Sequence, residues 1–144
     1  MSKIANKLYS ISATATGGRD GHVKSEDGIL DVDLKTPGAM GGQGGATNPE
    51  ELFAAGYAAC FNGALNLAAR LKRITPLEPP RVKVTVSLGK DEQGNFQLAA
   101  RIDANVPGVS QDVARELVEQ AHGICPYSRA TKGNIEVELN ATSH

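Results

Sequence analysis

The run Thr47-Asn48-Pro49-Glu50-Glu51-Leu52-Phe53-Ala54-Ala55-Gly56-Tyr57-Ala58-Ala59-Cys60-Phe61-Asn62-Gly63-Ala64-Leu65 constrains this chain more than any other stretch. It opens as a helix should. Asn48 fits a cap, Pro49 fits the first helical position where no donor is needed, and Glu50 and Glu51 suit the positive end of the dipole. From Leu52 to Ala69 the residues are apolar or small almost all the way round, which predicts a central helix enclosed by protein on most sides. Arg70, Lys72 and Arg73 put cations at its negative end. In the middle of this apolar segment sits a thiol, Cys60.

Length and charge narrow the setting. At 144 residues the chain fits a single domain, 1–144, with room for a real core. Fifteen Lys and Arg against sixteen Asp and Glu leave no field to draw nucleic acid or an anionic membrane, so neither is expected as a partner. No stretch reads as a membrane span, and the start, Met1 to Lys7, lacks the apolar core of a signal peptide; a cytoplasmic protein is expected. Two cysteines in a reducing compartment are reactive or inert thiols more often than a structural staple.

Alternation of apolar and polar residues marks the strands. Tyr9 to Thr16 reads as a half-buried strand ending at Gly17-Gly18-Arg19-Asp20-Gly21, and the Asp20-Gly21 turn signal sends a return strand over His22 to Ser25. Arg19 therefore falls at or beside a hairpin tip. Leu30, Val32 and Leu34 give a third strand. Residues 36–47, with five of the sixteen glycines, predict a mobile loop, hinge or lid; a phosphate cradle would need a Lys-Ser/Thr ending that is lacking. After the helix, Thr75 to Pro80 is a rigid connector. Val82 to Leu88 and Phe96 to Val106 form the clearest antiparallel hairpin, Ser110 caps a second helix through about His122 that stops at Gly123, and Ile135, Val137 and Leu139 make a last strand. This order predicts an α+β fold, antiparallel sheets packed around the buried helix.

Few residues can do chemistry. No Gly-x-Ser-x-Gly elbow is present, which leaves thiols as the main candidates. A cysteine in an apolar helix is ordinarily a small buried hydrophobe, and Cys60 is ten residues past Glu50, too far for the helix dipole to activate it. His122 and Cys125 are spaced as metal ligands and with Cys60 and His22 could complete a zinc set, but a histidine at a helix end commonly just bonds a carbonyl, and no metal is expected. Arg19 reads equally as a solvated hairpin charge and Glu50 as a helix-start carboxylate. Spacing alone permits a thiol enzyme without demanding one.

Three motifs add a resemblance. Gly17-Gly18-Arg19-Asp20-Gly21, the run Thr47 to Phe61, and Cys125-Pro126-Tyr127-Ser128 followed by Thr131-Lys132-Gly133-Asn134-Ile135 resemble the organic hydroperoxide resistance proteins of the wider OsmC group. The likeness spans the chain from near its start to the last strand. It implies an OsmC-like fold in an intertwined homodimer and a thiol peroxidase acting on organic and fatty-acid hydroperoxides. Dihydrolipoamide or a lipoylated protein is the implied electron donor, with no bound cofactor. By the same resemblance Cys60 is the peroxidatic cysteine, Cys125 the resolving cysteine, Arg19 the activating cation, and Glu50 the carboxylate that orients it.

The chemistry is consistent with those roles. A guanidinium holds a thiolate in an apolar site without losing its own proton, and Glu50 in a bidentate pair would fix its orientation. Leu52, Phe53, Phe61 and the Ala-rich helix would favour an alkyl chain over hydrogen peroxide. In one straight helix Glu50 and Cys60 lie about 15 Å apart, so a site using both would draw them from different chains, unless the helix is broken. A thiol sensor or hydrophobic-ligand binder on the same fold, and a peroxidase of the osmotically induced sister branch, are the competing readings.

Overall fold

A computed structural model describes residues 2–144, which divide into two compact units, one up to Pro49 and one from Glu50 to His144. In the first, β1 (Ala13–Thr16), β2 (His22–Ser25) and β3 (Asp31–Asp33) form an antiparallel sheet in the order β1-β2-β3. The return strand falls where the sequence predicts it, but β1 starts at Ala13 rather than Tyr9. Its partner β2 ends at Ser25, and the Glu26 amide donating to the Ser12 carbonyl at 2.9 Å carries the pairing one residue further before the chain turns away. That turn is organised by Asp27, whose carboxylate accepts from the Ser25 hydroxyl at 2.5 Å and the Ile29 amide at 3.1 Å.

Between β1 and β2 a short 3-10 turn, Gly18–Asp20, carries Arg19. The glycine-rich stretch expected to be a mobile loop folds back on itself. The Gly44 amide donates to the Thr36 carbonyl at 2.9 Å, the Gly42 amide to the Pro37 carbonyl at 3.1 Å, and Thr47 bridges in parallel to Leu34. Asp20 reaches this loop as well, accepting from the Thr36 amide and hydroxyl at 3.0 and 3.1 Å.

The second unit is built on α1 (Pro49–Leu71), an unbroken helix of 23 residues. It closes with Arg73 in the left-handed region (φ 56°), the Arg73 amide bonded to the Arg70 carbonyl and the Ile74 amide to the Ala69 carbonyl. This Schellman arrangement satisfies carbonyls that the helix itself leaves open. One side of α1, with Tyr57, Phe61, Ala64, Leu65, Ala68 and Ala69, is buried, while Ala55, Ala59, Gly63 and Asn66 form an exposed stripe of mostly small residues. Contrary to the reading of the sequence, α1 is long and apolar enough to cross a membrane. A core helix meets the same criteria, and the buried side of α1 packs in a protein core.

Against that side lie β4 (Arg81–Lys90), β5 (Phe96–Asn105) and α2 (Gln111–Ile124), with Ile102, Ala104, Val106, Leu117 and Val118 fully or almost fully buried. Val82 and Val84 point inward while Arg81, Lys83 and Thr85 point out, the alternation expected of a sheet with one wet face. Ser110 caps α2 as expected, its hydroxyl accepting from the Val113 amide at 3.2 Å. The last strand, β6 (Val137–Thr142), pairs with β5 in parallel, so this sheet is mixed where antiparallel pairing was expected. The cause is the helical crossover between them, which returns the chain to the end of the sheet from which β5 began.

Candidate active site

Two cysteines 65 residues apart in sequence meet in the second unit: the Cys125 thiol donates to the Cys60 sulfur across 3.4 Å. Cys60 comes from the middle of α1 and is partly exposed, while Cys125 is fully buried; both are free thiols. Pro126 explains how Cys125 is delivered. The residue before a proline is kept out of the helical region, and Cys125 adopts φ −58°, ψ 120°, ending α2 although its amide still bonds the Ala121 carbonyl at 2.8 Å. The predicted stop at Gly123 therefore comes too early: α2 runs on to Ile124, because the proline and not the glycine ends the helix. Pro126 then occupies the first position of a short helix, α3 (Pro126–Thr131), that periodicity over so few residues does not reveal.

Three effects act on the Cys60 thiol. Burial pushes its pKa up and dominates; a hydrogen bond from the Tyr127 backbone amide pulls it down; the Cys125 thiol pushes it up again. The net direction is upward, so this unit's own groups hold Cys60 as the neutral thiol.

Three aromatic rings cluster on the segments that carry the two cysteines. Tyr127 packs against Phe53 and Tyr57, with ring centroids 6.0 and 5.8 Å away, and Phe53 meets Tyr57 edge-on at 5.8 Å. Gly56 makes this possible: a Cβ there would stand 2.9 Å from the Tyr127 hydroxyl and 3.3 Å from its ring. Beneath the rings, the buried Tyr57 hydroxyl meets Ser128 Oγ at 2.8 Å and Thr131 Oγ1 at 3.3 Å. Of the apolar residues expected to face a substrate, Phe53 and Leu52 are partly exposed, but Phe61 is fully buried in the core. Its position one residue past Cys60 turns it about 100° round the helix, onto the packed side.

Glu50 lies in the first turn of α1, ten residues and about 15 Å before Cys60 on an uninterrupted helix. Arg19, in the 3-10 turn, belongs to the first unit and is partly buried. His22 is in the first unit too, its ring held between two carboxylates, Nδ1 2.7 Å from Asp33 and Nε2 on Asp31. The His122 ring is partly buried; Nδ1 has no hydrogen-bond partner, so the expected carbonyl contact is not made through that atom. Burial and the nearby Lys132 push its pKa down. Among the described residues no group of three or more His, Cys, Asp or Glu comes together as a metal site.

Sequence reading passed over three participants: the Tyr127 amide, the Tyr57 hydroxyl and Ser128. One signal pointed to the last two. A tyrosine in a buried, Ala-rich helix needs a partner for its hydroxyl, and α1 offers none on that side.

Comparison with known proteins identifies the family of this chain. Residues 42–140, more than half of the chain, match the family model described as "OsmC-like protein". The "Organic hydroperoxide resistance protein-like 2" of Staphylococcus epidermidis is 49% identical over 142 residues, covering 97% of this chain and 99% of that protein. A crystal structure of an organic hydroperoxide resistance protein from Elizabethkingia anophelis superposes with a TM-score of 0.91 at 47% identity, covering 96% of this chain and 99% of that one. That of OhrB from Bacillus subtilis gives 0.84 at 45% identity, covering 93% and 98%.

Proposed function

The chain belongs to the OsmC family and to its organic hydroperoxide resistance group, and from that membership we propose that it is a thiol peroxidase reducing organic and fatty-acid hydroperoxides to alcohols. The observation that carries the reading is the 3.4 Å approach of the Cys60 and Cys125 sulfurs. A disulfide needs about 2.05 Å, so closing the bond takes a shift of about 1.4 Å.

The cycle has three balanced steps. Cys60 thiolate attacks the outer peroxide oxygen, the O–O bond breaks, Cys60 becomes a sulfenic acid, and the departing alkoxide takes up a proton to become the alcohol. The Cys125 thiol then attacks the sulfenic sulfur, forming the disulfide and releasing water before irreversible oxidation can follow. Dihydrolipoamide, free or on a lipoylated protein, donates two electrons and two protons by exchange, restoring both thiols and leaving its own sulfurs as the cyclic disulfide.

Arg19 is the cation that the raised Cys60 pKa calls for. Its guanidinium keeps its charge in an apolar setting, and the same charge stabilises the leaving alkoxide. Glu50 orients it. With α1 unbroken, the Glu50 serving a given Cys60 comes from a second copy of the chain, so the working form is a homodimer. The exposed small-residue stripe of α1 and the exposed Leu8 and Tyr9 support such an assembly. Phe53 and Leu52 supply apolar surface for an alkyl substrate. A reducing compartment such as the cytoplasm suits a cycle that must return to free thiols.

The test is a titration of reduced protein with cumene hydroperoxide. Each equivalent should yield one Cys60–Cys125 disulfide, Cys60→Ser should consume none, and Cys125→Ser should be oxidised once and then over-oxidised. Dihydrolipoamide should sustain turnover better than thioredoxin, and hydrogen peroxide should react more slowly than cumene or fatty-acid hydroperoxides. Steady peroxide consumption by Cys60→Ser would exclude the assignment.

A further inference from the structure

Tyr57 stands three residues before Cys60 on α1, one helical turn away, and Ser128 stands three residues after Cys125 on α3. One hydroxyl contact, 2.8 Å from Tyr57 Oη to Ser128 Oγ, therefore ties the helix that carries one sulfur to the helix that follows the other. Thr131 completes the arrangement: its hydroxyl donates to the Ser128 carbonyl at 3.1 Å and lies 3.3 Å from Tyr57 Oη.

The protons can be assigned. With the Thr131 proton on the Ser128 carbonyl, all three hydroxyl protons are used when Ser128 donates to Tyr57 and Tyr57 donates to Thr131. The result is a one-way chain of hydrogen bonds that runs from the Ser128 hydroxyl through Tyr57 and Thr131 to the Ser128 carbonyl. Tyr57 and Ser128 are fully buried and Thr131 is 7% exposed, so water is a poor substitute for any member, and a displaced α3 would leave buried hydroxyls unpaired.

Six residues make too short a helix to hold itself in place, so α3 takes its position from its contacts. Ring packing on Tyr127 is tolerant of sliding, because aromatic pairs accept a range of offsets. A chain of hydroxyl bonds is not, because hydrogen bonds weaken steeply with distance and angle. Cys125, joined to α3 through the Arg129 amide on its carbonyl at 2.9 Å, inherits that placement.

We propose that the Ser128–Tyr57–Thr131 hydroxyl chain is a positioning device that holds the Cys125 thiol against Cys60 and so sets the rate at which the sulfenic acid is captured. This rests on the peroxidase reading for its consequence, but the placement itself concerns only the two thiols. Tyr57 touches neither the hydroperoxide oxygens nor the sulfurs in this role; it acts through Cys125.

The experiment compares wild type with Tyr57→Phe, Ser128→Ala and the double variant, each first shown to be folded by near-ultraviolet circular dichroism. In glutathione redox buffer, without peroxide, the effective concentration of the Cys60–Cys125 pair should fall about tenfold in Ser128→Ala, which loses one buried hydrogen bond, and at least that far in Tyr57→Phe, which loses the Thr131 contact as well. The double variant should fall no further than Tyr57→Phe alone, because Tyr57→Phe already removes the Tyr57–Ser128 contact. In a single turnover with cumene hydroperoxide, oxidation of Cys60 should stay within about twofold of wild type. Disulfide closure should slow by the same factor of about ten, with more Cys60 trapped as sulfenic acid by dimedone. An unchanged effective concentration in folded Tyr57→Phe, additive losses in the double variant, or equal slowing of both chemical steps would each overturn the proposal. If wild type itself forms no Cys60–Cys125 disulfide in the glutathione buffer, the peroxidase reading fails instead.

Discussion

Two glycines flank Arg19 in the turn that presents it, and alanine at each should have different consequences. At Gly21 a Cβ would lie 1.7 Å from the Thr16 carbonyl oxygen and 2.7 Å from Gly17 Cα, where real side chains keep at least 3.0 Å. The backbone must therefore move by at least about 1.3 Å. Two bonds fix that backbone: the Leu34 amide to the Gly21 carbonyl at 2.8 Å and the Asp20 amide to the Gly17 carbonyl at 3.3 Å. Losing both, each worth about 1 kcal/mol and more where a partner is left unpaired, gives a destabilisation of roughly 2–4 kcal/mol. Gly18 has φ 57° and open space around its missing Cβ, so Gly18→Ala meets only the left-handed penalty, about 1 kcal/mol and partly offset by a stiffer unfolded chain. Urea unfolding followed by far-ultraviolet circular dichroism measures the first difference, and the rate of Cys60 oxidation by cumene hydroperoxide measures the second. Gly21→Ala should lose stability and displace Arg19, with oxidation slowed towards the rate of Arg19→Ala; Gly18→Ala should keep most of both. Equal unfolding midpoints, or a wild-type oxidation rate in Gly21→Ala, would refute the reasoning.

Other perturbations test separate links. The His22 pKa is raised, first by Asp33 and then by Asp31, so its stabilisation of the β2–β3 pair is complete below pH 6.5 and fades as pH rises through the folded value. Melting curves from pH 5.5 to 9 should show that loss, and His22→Asn should remove it. His122 is shifted the other way by burial, so stability should fall as pH drops below 6.5 towards its lowered value, and NMR titration should find its ring neutral at pH 7. Arg73→Gly relieves a left-handed residue at the end of α1 and should raise stability by about 0.5–1 kcal/mol, seen as a higher urea midpoint; a lower midpoint would mean that the Arg73 side chain contributes more than its backbone costs. Alkylation of reduced Cys60 with iodoacetamide should show a higher pKa in Arg19→Ala than in wild type; identical profiles would remove Arg19 from the activating role.

Much of the architecture was legible because it depends on near neighbours. Pro49 and the acidic first turn mark the start of α1, Ser110 the start of α2, and the alternation of Val82, Val84, Val86 and Leu88 one face of β4. Where sequence reading erred, a more distant cause intervened. β1 was cut short by the length of β2, and Phe61 was taken from the presumed substrate wall by the side of α1 that packs. Helix α3 escaped notice because six residues hold too little periodicity, yet it supplies the Tyr127 amide and Ser128.

From the sequence alone came most of the helix and strand segments, the two candidate thiols, and the motifs that mark the family. These rest on the spacing of residues along a few turns or one strand, where the backbone's own repeat decides which side chains share a face. The tertiary structure decided that Cys60 and Cys125 meet at 3.4 Å, that β6 runs parallel to β5, and that a tyrosine on one helix bonds a serine on another. No local period connects residues 65 or 71 positions apart. Their distance is fixed only when the apolar faces of α1, α2 and the sheet are buried together, since that packing selects one relative placement of the elements from the many their separate sequences allow.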